Sequence, residues 1–184
     1  MAGKTYLSEK ETSLRLFIKI AFLLLLPATL LAQDTAVVKK QAEIMGNAMI
    51  DNNYSVLIDY TYPKLVKLMG GKEKMLQYLK TGVQQMKSSG FRFKNAIIGS
   101  PGRFYTAGSE IHCLIPETLD IKTPKGTLVT NAHLLAISQD NGKSWTFVDI
   151  SERTMATVKQ LFPNFNHDLK IPKDTEPIFT PDDN

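Results

Sequence analysis

Two strand histidines, an aspartate beside tyrosines, a lone cysteine and one tryptophan hairpin are the residues in this chain with the means to do chemistry. His112 and His133 lie on neighbouring strand candidates and would serve as proton carriers or ligand contacts if both faced one cavity. Asp59, Tyr60 and Tyr62 cluster before Pro63, where a carboxylate beside a phenol would position or deprotonate a bound group. Cys113 sits in the strand-like run Ile111-His112-Cys113-Leu114-Ile115, which reads as a buried structural thiol. No histidine pair has helical metal spacing and no second cysteine accompanies Cys113, so no metal, cofactor or internal disulfide is expected.

Ser138-Gln139-Asp140-Asn141-Gly142-Lys143-Ser144-Trp145 matches the sialidase Asp-box. The box does structural work: Asp140 bonds the turn backbone, Gly142 supplies a positive φ and Trp145 packs beneath the hairpin. A single box, with only Arg92, Arg103 and Arg153 as arginines after residue 32, predicts a hairpin and not a glycosidase. No phosphate loop, dinucleotide loop, calcium loop or nucleophile elbow is present.

Helices and then strands must position these groups. An apolar stripe runs from Thr35 to Ile50, and Asp51-Asn52-Asn53 breaks it and offers a cap to the next helix. That helix is interrupted at Pro63 and resumes to Gly70-Gly71. A third helix covers Lys72 to Ser88, with Met75, Leu76, Leu79, Val83 and Met86 on one side and Gly90 after it. Alternation then predicts strands near 91–97, 110–116, 127–138 and 145–150, the last two joined through Asp140-Asn141-Gly142-Lys143. A short helix over 153–162 closes the domain. The proline-punctuated segment 163–184 reads as an extended tail. The fold class expected is α+β: N-terminal helices on a curved four-stranded antiparallel sheet.

Residues 1–32 read as a cleaved secretory signal. Lys4, Lys10, Arg15 and Lys19 precede an apolar run from Ile20 to Ala32, too short for a membrane span and ending in a small residue. The chain is thus expected to be exported, to the periplasm or beyond the cell, with domain residues 33–162 and no stable membrane span after cleavage. Removing the leader takes four basic and two acidic residues, which leaves 18 against 16. Scattered lysines with no basic stripe argue against nucleic-acid binding.

Tyr54-Ser55-Val56-Leu57-Ile58-Asp59-Tyr60-Thr61-Tyr62-Pro63-Lys64-Leu65-Val66, Gly70-Gly71-Lys72-Glu73-Lys74-Met75-Leu76 and the hairpin from Leu134 to Asp149 carry a resemblance at the level of fold. The chain resembles exported bacterial members of the nuclear-transport-factor/ketosteroid-isomerase-like superfamily, with a cystatin-like α+β cone over about residues 35–162. The resemblance implies a sheet curled around an apolar cavity that holds a small ligand, an active site or a partner surface. No residue set of this chain aligns with the aspartate base, tyrosine and protonated acid of the isomerases. The expectation is a non-enzymatic binding module whose cavity, lined by Tyr60, His112, His133 and Trp145, takes a small apolar ligand or a peptide. The alternative is a small acid–base enzyme using His112 or His133 with Asp59. A homodimer through the sheet face is a further option.

Overall fold

The computed structural model describes residues 28–182, so most of the expected leader lies outside the described residues. The described residues from Thr35 onward form one compact unit. Helix α1 is Ala28–Ile50, followed by α2 Tyr54–Asp59, α3 Pro63–Leu68 and α4 Lys72–Ser88. Asn53 caps α2 by accepting from the Val56 N–H at 3.4 Å. Pro63 stands at the start of α3, where its missing N–H costs nothing, so the proline restarts the helix as its position predicts.

The strands are β1 Arg92–Ile98, β2 Tyr105–Ala107, β3 Glu110–Thr123, β4 Gly126–Ser138, β5 Thr146–Asp149 and β6 Ile178–Pro181, with α5, Met155–Leu161, between β5 and β6. The protein is α+β, and its sheet has six antiparallel strands rather than the four expected. A long β3–β4 hairpin, in register from Ile111↔Ser138 to Thr123↔Gly126, forms the centre. β1 and β2 share the free edge of β3, while β5 and β6 share the far edge of β4. The additions are the short β2 and a strand inside the tail. At Gly126 a Cβ would lie 2.2 Å from the Thr180 carbonyl oxygen, so only glycine lets β6 approach.

Strand alternation gives the sheet two faces. On the inner face, Cys113, Ile115, Leu134, Ala136, Trp145 and Phe147 pack under Val38 and Ala42 of α1. On the outer face, Leu135, Ile137, Val148 and Ile150 pack with Tyr62, with Val158 and Leu161 of α5, and with Phe162 and Leu169. Both faces being covered there, Leu134 to Ile137 reads as an unbroken buried run. α4 is different: none of its 17 residues is buried, and its apolar stripe is only half covered.

Candidate functional site

The four residues expected to share a cavity divide between the two faces. Tyr60 caps α2 and tilts against Phe147 at 6.5 Å on the inner side. Trp145 is buried on that side, with its ring 5.5 Å from Phe104 and its Nε1–H donating to the Gly142 carbonyl at 3.0 Å. His112 and His133 both fall on the outer face. His112 pairs with Ile137 and His133 with Pro116, so four residues of strand, about 13 Å, separate them. Asp59 is exposed on α2 and accepts from Lys72 at 2.6 Å, so it is a surface ion pair and not a partner of either histidine.

The Asp-box is a turn, built as its residues predict. The Asp140 carboxylate accepts from the Ser144 hydroxyl at 2.6 Å and from the N–H groups of Ser144 and Lys143 at 2.9 and 3.1 Å. The Ser144 bonds hold its pKa down to about 2. Asn141 and Gly142 take φ of 59° and 86°, the left-handed conformation that turns the chain into β5. Cys113 is fully enclosed, and burial pushes its thiol up to about 12, which leaves no nucleophile.

A buried polar centre stands where sequence reading saw only the start of a strand. Glu110 and His112 are two apart on β3 and share the outer face. One Glu110 oxygen accepts from the Tyr62 hydroxyl and from Gln139 Nε2, each at 2.7 Å, and the other meets His112 Nε2 at 3.1 Å. Lys64 stands 3.7 Å away. Burial pushes the Glu110 pKa up, but the bonds from Gln139, Tyr62 and His112, with the Lys64 charge, outweigh it and hold the carboxyl below its usual value. Burial holds the His112 imidazole below its usual pKa despite Glu110, and burial raises the Tyr62 phenol. With Nε2–H donating to Glu110, Nδ1 is an acceptor, and it has no partner among the described residues.

His112 is 1% exposed, with Phe162 edge-on at 5.2 Å and Phe165 at 6.0 Å. The His112 imidazole is thus enclosed, while Glu110 keeps a narrow contact with solvent beside Lys64. The dyad ties the start of α3 and the segment after α5 to the sheet. The i, i+2 spacing of Glu110 and His112 on one strand was the available signal; the identities of Tyr62 and Gln139 as partners were not.

Open space lies elsewhere. A groove of about 470 Å³ runs between the end of α1 (Met49, Ile50), α4 (Val83, Met86, Lys87) and the start of β1 (Phe91, Arg92, Phe93). A second, of about 450 Å³, lies between α5 and the tail, lined in part by Phe162 and Phe165. Lys87 donates to Asn52 Oδ1 at 2.9 Å, and neither Lys87 nor Arg92 has an ion-pair partner among the described residues. No group of three metal-ligating side chains occurs among the described residues, and no described helix is long and apolar enough to cross a membrane. Neither a protein-family model, nor a curated protein, nor a solved structure matches the chain.

Proposed function

We propose that the protein is an exported binding module for a small amphipathic ligand, an apolar body carrying an anionic group, held in the groove between α1, α4 and β1. The observation that carries this reading is the groove itself: six apolar side chains beside two cations, Lys87 and Arg92, that have no ion-pair partner among the described residues. Its volume of about 470 Å³ falls in the range of small-molecule sites. Two of its apolar walls, Met49 and Met86, are methionines, whose flexible thioethers adapt to irregular apolar shapes. A cone, with the sheet curled beneath α1 and α4, is the shape this reading assigns to the fold, and the leader over 1–32 is what supports export.

Dodecanoate is the probe. Burying about nine methylenes at roughly 0.8 kcal/mol each gives about 7 kcal/mol, and pairing the carboxylate with a groove cation adds about 2.5; against an association cost of about 4 the net is about 5.5 kcal/mol, a Kd on the order of 100 µM. In a titration followed by amide NMR, shifts should centre on Val83, Met86 and Phe93. Val83→Glu, which puts a like charge in the groove, should abolish them. Dodecanoate shifts that survive Val83→Glu, or that centre on α5 and the tail, overturn the reading.

A further inference from the structure

Along β3 the inner face is first closed and then open. Cys113 and Ile115 are fully buried, Glu117 is 7% exposed, and Leu119 and Ile121 are half-buried. β4 follows the same course: Ala136 and Leu134 are buried, while Ala132, Thr130 and Leu128 are half covered. Register sets Ala132 opposite Glu117 on one side and Ile98 opposite it on the other. A carboxyl therefore stands at the margin of the closed core, between an alanine and an isoleucine. No hydrogen bond or ion pair among the described residues reaches that carboxylate. Burial first, and the charge of Asp149 second, push its pKa up to about 7.

We infer that Glu117 is the anchor of a second site, one that takes an organic ammonium ion whose apolar body lies on the half-covered inner face. A carboxylate held on a mostly buried side chain between apolar neighbours, with no protein partner among the described residues, is costly to keep ionised. A cation relieves that cost, and the negative charge of Asp149 adds to the attraction. The cation is organic because no trio of ligands for a metal ion exists among the described residues. Leu119, Ile121 and Ala132 offer its body an apolar bed. The inference does not rest on the cationic groove, whose chemistry is of the opposite sign.

Phenethylammonium is the probe, with the carboxyl carbons of the full chain followed by NMR across pH. The Glu117 midpoint should fall by at least one unit when the probe saturates, the linkage of a tenfold preference for the ionised form. Glu117→Gln should weaken phenethylammonium at least tenfold and leave dodecanoate binding unchanged. A Glu117 midpoint that does not move at about 10 mM probe, or equal binding by the Gln variant, overturns the inference. Should that variant not fold, the titration of the native chain decides alone. Loss of dodecanoate binding with phenethylammonium retained counts against the groove and not against Glu117.

Discussion

Glu110→Leu removes the one acceptor on which three donors converge. Gln139 is exposed and turns to water, but Tyr62 is fully buried and His112 nearly so. Each buried group left unpaired costs about 1–3 kcal/mol, and leucine is close enough in size to add little cavity penalty. A loss of about 4 kcal/mol follows. Urea unfolding, read by Trp145 fluorescence, should show a midpoint lower by roughly 2 M with the slope unchanged. Combining Glu110→Leu with His112→Phe removes one of the two orphans, so the double variant should be more stable than the sum of the singles by about 1 kcal/mol or more. A loss below about 1 kcal/mol in the single variant, or strict additivity in the pair, would refute the view that this centre fastens the start of α3 and the segment after α5 to the sheet.

His112, held neutral by burial, is refused a proton that the unfolded chain accepts, so its contribution to stability is lost as pH falls below about 6.5 towards its lowered folded value. Glu117, kept protonated up to about 7, acts in the opposite sense over the same interval, so the measurement is the difference between the native chain and His112→Phe from pH 7 to 5; a flat difference refutes the assignment. Cys113, with its thiol pushed up to about 12, should resist an aromatic disulfide reagent in the folded protein and react fully in denaturant; ready reaction in the fold would show an opening at the inner face.

Local signals carried most of the fold. Asn53, Pro63 and Gly142 sit where caps, restarts and turns require their types, and the apolar alternation of β3 and β4 gave their faces correctly. What escaped was non-local. Nothing in Ile178-Phe179-Thr180-Pro181 announces a partner some fifty residues earlier on β4, and Pro177 before it and Pro181 at its end give the segment the look of plain tail. The site was harder still. Histidines on the same face of neighbouring strands were foreseen, yet same-face parity does not fix distance along the strand. A polar residue at a strand end, such as Glu110, ordinarily meets water; here Tyr62 and Gln139 close over it. The stripe of α4 promised a buried face, and its half-burial, which makes the groove, depends on how far the sheet extends beneath it.

The outer margin of β4 is shared by two short strands, and this sharing bears on solubility. β5 covers Leu134–Ile137, β6 covers Gly126–Val129, and the Ile150 N–H takes the His133 carbonyl at 2.9 Å. Among the described residues, Thr130 to Ala132 is the stretch of this margin between them without a neighbouring strand, too short a template to recruit another chain edge to edge. β6 is itself only four residues long, and Pro181 within it has no N–H to offer an incoming strand. Ile178 and Phe179 stay exposed, so the sheet ends in an apolar but hydrogen-bond-poor border, a composition that blunts fibrillar growth while leaving greasy side chains in water.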